Sequence, residues 1–295
     1  MSSSWPCRVR AARAPAGKVI KDAIATRPYV LGHSETELRR LAMQSAFWGD
    51  LTGEIFRRAG IGAGMHVLDI GCGAGDVAFL AARLVGPWGG VLGIDRSEDA
   101  VRRASARAAD MGLGWCRFAV ADVDAFETDE RFDAVVGRLV LMYLSDPACT
   151  LRSLVRHLRP GGIVAFHEIV LSSMRCVPPV PLMRRVERWV ITAFERAGAE
   201  LDMGLRLDAT FRAAGLPPPE CHAAARPVAG ADSAGYAVLA AVTRSLLPSI
   251  EKFGIASAAE IDIDALADDL RDATVAADAC WLSPVMVGAW ARTGA

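Results

Sequence analysis

His66-Val67-Leu68-Asp69-Ile70-Gly71-Cys72-Gly73-Ala74-Gly75-Asp76 joins an apolar strand to a glycine turn, with an acid on either side of the turn. A glycine turn lets backbone approach a ligand where a Cβ would collide, and the helix that follows offers unpaired N–H groups. The stretch therefore reads as a nucleotide-type cofactor site. In a dinucleotide fold the expected order is G-x-G-x-x-G, with no charge facing the pyrophosphate. Here the order is Gly71, Gly73, Gly75, and Asp76 stands where the third dinucleotide glycine falls. Asp69 and Asp76 would repel a pyrophosphate and favour a cationic ligand.

Outward from this run, residues 65–169 alternate short apolar runs with helical patterns. The runs are His66–Ile70, Val91–Asp95, Arg117–Ala121, Phe132–Val136 and Ile163–Ile169, and their near-continuous Val, Ile, Leu and Phe predict strands buried on both faces. Helices are expected at Val77–Leu84, Glu98–Met111 and Pro147–Leu158, the last closed by Arg159-Pro160-Gly161-Gly162. This rhythm predicts an α/β fold, a Rossmann-like doubly wound parallel sheet that binds ligands beyond its strand carboxyl ends.

Those ends carry chemistry. Asp95, followed by Arg96, closes the second run and suits the two hydroxyls of a ribose. Asp122 closes the third, where it can accept from an adenine amino group while the Val123 N–H donates to the ring. The fourth ends at Gly137-Arg138-Leu139, whose backbone carbonyls can receive an ammonium group. Asp95 and Asp122 would also serve as helix caps. Read jointly, the acids and the glycine turn suit a ligand with adenine, ribose and a positively charged amino-acid tail.

Through Val67-Leu68-Asp69-Ile70-Gly71-Cys72-Gly73-Ala74-Gly75, Asp95, Ala121-Asp122-Val123, Phe132-Asp133-Ala134-Val135-Val136 and Leu158-Arg159-Pro160-Gly161-Gly162, the chain resembles the class I S-adenosylmethionine-dependent methyltransferases. The likeness is close over roughly residues 60–170. More loosely, Tyr29-Val30-Leu31-Gly32-His33-Ser34 and Met286-Val287-Gly288-Ala289-Trp290 look like bacterial small-molecule enzymes of this class. The resemblance implies S-adenosyl-L-methionine as cofactor and a seven-stranded sheet ending in an antiparallel hairpin. It also implies that Tyr29, His33 and Gln44 close over the methionine portion of the cofactor.

Methyl transfer mainly needs an aligned nucleophile, a dry site and sometimes a base. His167 and Glu168, at the end of the fifth run, are the catalytic candidates, one of them as general base or to orient the substrate, and each also reads as a cap or a solvated strand end. Met142 and Tyr143 are candidate acceptor contacts, or helix–sheet packing. Trp48, Trp189, Phe194, Trp281 and Trp290 read first as core, and Arg102, Arg103 and Arg107 with Glu98 and Asp99 as a solvated helix face. No His and carboxylate spacing suggests a metal. The expected activity is methylation of a small apolar or aromatic acceptor. A cyclisation that uses the same cofactor, an NAD-dependent oxidoreductase and a binding protein without turnover stay open.

The rest of the 295 residues sets the frame. With 52% hydrophobic residues and a net charge of −1, the chain can bury a full core and advertises neither a nucleic-acid nor an anionic-membrane partner. No apolar stretch approaches the ~20 residues of a spanning helix, so a cytoplasmic protein is the default expectation. Seven scattered cysteines without a C-x-x-C pair suggest reduced, mostly buried thiols. Residues 1–18 read as a disordered leader, 19–60 as an N-terminal helical cap, 61–171 as the cofactor-binding core, and 172–295 as inserted cap helices with the strands that complete the sheet. Within the N-terminal cap, Ser34 and Glu37 form a capping box and a second helical segment is expected from about Asp50 to Ala59. Further helices are expected at Leu182–Ala197, Leu207–Ala214, Tyr236–Phe253 and Ile263–Asp278, and strands at Pro219–Val228 and Trp281–Trp290. An exposed apolar N-terminal helix would favour a homodimer.

Overall fold

The computed structural model describes residues 35–294. The predicted leader, Tyr29, His33 and the Ser34 cap lie outside the described residues. In chain order the elements are α1 (Glu35–Ala59), β1 (His66–Ile70), α2 (Asp76–Val85), β2 (Gly90–Asp95), α3 (Glu98–Asp110), β3 (Cys116–Val120), β4 (Phe132–Arg138), α4 (Pro147–Val155) and β5 (Leu158–Val170). They are followed by β6 (Arg175–Val177), α5 (Pro181–Arg196), α6 (Met203–Ala213), β7 (Glu220–Ala224), β8 (Pro227–Val228), α7 (Gly235–Lys252), α8 (Ala258–Ile261), α9 (Leu266–Ala276), β9 (Cys280–Leu282) and β10 (Val285–Arg292).

The main sheet has seven strands in the order β3-β2-β1-β4-β5-β10-β7. The first five run parallel, and β10 lies antiparallel between β5 and β7. This is the doubly wound, Rossmann-like sheet with the terminal antiparallel hairpin that the resemblance implies. Its order reverses between β1 and β4, and a ligand crevice is expected outside the carboxyl ends of those two strands.

Side-chain alternation sorts the core. From β1, Leu68 and Ile70 join one apolar cluster, whereas Val67 joins the other, with Ile55 and Phe56 of α1 and Ala78 and Phe79 of α2. Asp69 therefore points to the face that α1 and α2 cover. Ile55 and Phe56 are fully buried, each worth roughly 1.5–3 kcal/mol. That burial offsets the helix cost of Gly49 and Gly53, so α1 is one continuous helix without the expected break near Asp50.

Three further differences have local causes. Leu158 pairs with Phe132 and Ile163 with Ala134, so the Arg159-Pro160-Gly161-Gly162 segment bulges out of β5 and does not close α4. The expected strand at 281–290 divides at Ser283-Pro284, and the one at 219–228 at Ala225-Arg226. The two corners bond to each other, Ser283 N–H to the Arg226 carbonyl and Arg226 N–H to Ser283 Oγ. The short pieces then form a second sheet, β6-β9-β8, that the sequence pattern did not suggest. Among the described residues no helix is long and apolar enough to cross a membrane, and the six cysteines described are free.

Candidate functional site: a cavity at the strand carboxyl ends

A cavity of about 250 Å³ lies at the carboxyl ends of β1, β2 and β4, under α1, α5 and α7. Its lining changes character along its length. One end carries Arg40, Gln44, Asp76, Asp95, Asp122 and Arg138. The other carries Val190, Phe194, Val238, Leu239, Val242 and Trp281.

The glycine turn forms the floor of the polar end. Gly71, Gly73 and Gly75 all have positive φ, at 60°, 52° and 89°. A Cβ on Gly71 would lie 2.6 Å from Val140 Cγ2, and one on Gly75 2.7 Å from the Phe79 ring, so the turn requires glycine twice over. Gly71 and Gly73 line the cavity, whereas Gly75 starts α2 behind them. Asp95 Oδ2 accepts the Gly73 N–H at 2.9 Å and Oδ1 accepts the Ser97 N–H at 2.9 Å. Each oxygen keeps a second lone pair for a ligand. The cap of α3 is Ser97.

Asp122 and Val123 also line the cavity, with Asp122 exposed at its rim. Asp122 Oδ1 accepts the Asp124 N–H at 3.0 Å, so it does cap the short turn that follows. Arg96, Met142 and Tyr143 are in the wall as expected, and so are Arg103 and Asp99 of the helix face read as solvated. Trp48, Phe194 and Trp281 face the cavity, and the Trp281 indole N–H donates to Glu187 at 2.7 Å.

Two charges differ from the sequence expectation. Asp76 borders the cavity but its charge is matched by Arg107, 2.8 Å away on α3. Asp69 does not reach the cavity surface. It is 1% exposed, neither oxygen has a well-formed hydrogen bond, and burial holds its carboxyl well above the usual range against the opposing pull of Arg138. A cation held at the glycine turn in front of this buried acid would favour its charged form through space, without direct contact.

His167 and Glu168 do not line the cavity, which corrects the expectation that one of them meets an acceptor there as general base or orienting group. Residue 167 faces α1 and residue 168 the opposite side, because successive strand side chains alternate. Glu168 is fully buried and its Oε1 accepts the N–H groups of Val140 and Leu141 at 2.9 and 2.8 Å. It thereby shapes the loop after β4, which begins at Leu139 with φ 54° and lines the cavity through Leu139–Val140 and Met142–Leu144.

Burial pushes Glu168 up to about 7 and His167 down to about 3. Folding makes Glu168 hold its proton more tightly, so the stability it lends is full below about pH 4.5 and is lost as pH rises through 7. His167 acts with the opposite slope, since its unfolded ring takes up a proton below about pH 6.5 that the folded ring refuses. Glu168→Gln is therefore expected to be more stable than the parent at pH 8, by up to about 3 kcal/mol, and equal to it at about pH 4.5. Thermal unfolding at the two pH values measures this, and equal melting at pH 8 would contradict it.

The sequence reading missed Arg40 and Thr52. A signal was present: Arg40, Gln44, Trp48, Thr52 and Phe56 recur at four-residue spacing, one face of a helix in which three members are polar. All five are buried.

Residues 61–196 match the methyltransferase domain family. The chain is 36% identical over 139 residues to 2-phytyl-1,4-naphtoquinone methyltransferase of Synechococcus elongatus, covering 44% of this chain and 56% of that one. It is 39% identical over 100 residues to nocamycin O-methyltransferase of Saccharothrix syringae, covering 34% and 36%. The chain thus spans about half the length, or less, of these curated relatives. Phosphoethanolamine N-methyltransferase 2 of Haemonchus contortus, solved in complex with S-adenosyl-L-methionine, shares the fold. Its TM-score is 0.57 at 16% identity, over 93% of this chain and 61% of that one.

Proposed function

We propose that the methyltransferase domain matched over residues 61–196 transfers a methyl group from S-adenosyl-L-methionine to a small organic acceptor, apolar or aromatic in character. The observation that carries this reading is the single cavity with a polar end, built from the glycine turn and the strand-end acids, and an apolar end under α5 and α7. When bound, S-adenosyl-L-methionine supplies a methyl group already activated by its sulfonium charge.

The residues of the chain bind, orient and exclude water. Asp95, held by two amides, takes the ribose hydroxyls, with Arg96 beside it. Asp122 and the Val123 amide meet the adenine edge. The glycine turn, Gln44 and Arg138 hold the methionine end, whose ammonium charge would favour the ionised form of Asp69 behind the turn. Met142 and Tyr143 stand in the wall against the acceptor. Val190, Phe194, Val238, Leu239 and Trp281 shed water from the apolar end, which favours a flat or lipophilic acceptor and keeps the reacting atoms dry. In this reading residues 61–171 form the cofactor-binding core, and α1 with the elements after 172 roofs it. The matched naphthoquinone and nocamycin enzymes, each named for a small organic acceptor, support the substrate class.

The test is incubation of the full chain with S-adenosyl-L-methionine and a library of apolar and aromatic metabolites, read by mass spectrometry. A product heavier than its acceptor by one CH2 is expected. A product of unchanged mass, or calorimetry showing no binding of S-adenosylhomocysteine, would overturn the proposal.

A further inference from the structure

Arg138 ends β4 in the cavity wall, on the sheet face that α1 covers. Its Nη1 donates to Thr52 Oγ1 of α1 at 3.2 Å, and the same oxygen lies 3.0 Å from His167 Nδ1. Thr52 is 0% exposed and His167 1%, so no solvent competes for either contact. The Thr52 hydroxyl has a single proton, to give either to His167 or to the Trp48 carbonyl 3.2 Å away. In either case, and with either tautomer of a neutral His167, the oxygen remains an acceptor for Arg138. Burial alone opposes charge on Arg138, and the charge of Arg40, a second buried guanidinium in the same wall, opposes it further. Asp76 and the buried Asp69 favour it, and Asp76 is shared with Arg107. A ligand carboxylate in the cavity would add a counter-charge beside Arg138, which lines it.

We propose that Thr52, braced by His167, is a positioning residue that aims Arg138 at the carboxylate of the methionine portion of the cofactor. The inference rests on the S-adenosylmethionine reading above and adds the group that recognises the amino-acid carboxylate and the device that orients it. It also gives α1 a part in binding: the helix brings Arg40 and Gln44 to the cavity and, two turns after Gln44, sets the direction of a residue on another element.

Two ligands separate this from a packing role. S-Adenosylhomocysteine carries the carboxylate, and methylthioadenosine shares its adenine, ribose and sulfur but lacks the amino-acid group. In calorimetry Thr52→Val, close to isosteric, is expected to weaken S-adenosylhomocysteine about tenfold or more while leaving methylthioadenosine within about twofold. Thr52→Ser, which keeps the acceptor oxygen, is expected to restore the first affinity to within about threefold. Equal weakening of both ligands, no weakening of either, or failure of the Ser variant to restore binding would overturn the inference while the function proposed above stands. If the parent protein binds neither ligand, that function falls and the inference with it.

Discussion

Replacing Asp95 with alanine is expected to lower affinity for S-adenosylhomocysteine by about 100-fold or more. The carboxylate is the acceptor for two ribose hydroxyls in the proposed complex, and hydrogen bonds to a charged group are worth roughly 1.5–3 kcal/mol each. It also holds the Gly73 N–H, one of the left-handed residues of the turn, so its loss loosens the floor as well as the contact. Asp95→Asn keeps one acceptor oxygen and should fall between the parent and the alanine variant. Asp122→Ala should cost less, within about tenfold, since its side chain is at the exposed rim and its present partner is the neighbouring Asp124 amide. Calorimetry ranks the three. Binding by the Asp95→Ala protein within threefold of the parent would remove Asp95 from the site.

Gly288→Ala is expected to be the most damaging single-methyl change to the fold around the site. Gly288 lies in β10 opposite His167 of β5, and a Cβ there would sit 2.3 Å from Ile55 Cδ1 and 2.4 Å from its Cγ1. Ile55 is 1% exposed and β-branched, so its rotamer cannot swing clear and the helix itself must lift. A cost of about 2–4 kcal/mol in denaturant unfolding follows. Because α1 brings Arg40 and Gln44 to the cavity, ligand affinity falls with it. Ile55→Ala removes the colliding atoms, and the double variant should recover part of the loss that the two single changes add up to. A Gly288→Ala protein as stable as the parent would mean that α1 is not seated against β10 as described.

How much was legible depended on the range of the interaction. The strand β1 and its glycine turn could be read residue by residue, because a buried parallel strand is a continuous apolar run and a left-handed turn demands glycine. The strand-end acids were legible for the same reason: Asp95 and Asp122 stop apolar runs, and both border the cavity. His167 and Glu168 were misread since a strand end looks alike whether it faces solvent or the underside of a helix. Their hydrogen bonds go to Thr52, 115 residues away in sequence, and to Val140 and Leu141, 28 and 27 away. The corners at Ser283-Pro284 and Ala225-Arg226 were invisible because each is stabilised by the other across 57 residues.

The sequence by itself determined the strand–turn–helix order and the doubly wound sheet, and it gave the expectation of an adenosyl ligand, all of which follow from local periodicity and from what glycine and aspartate permit at a strand end. Only the tertiary structure decided which polar side chains meet. Alternation places Asp69, Arg138 and His167 on one face of their strands, but it takes the register that sets Arg138 opposite His167, and the seating of α1 across β5 and β10, to bring Thr52 between them. The opening run, read locally as two acids beside a turn, becomes in the fold one acid paired with Arg107 and one buried beneath the glycines, because neighbours distant in the chain settle where each charge resides.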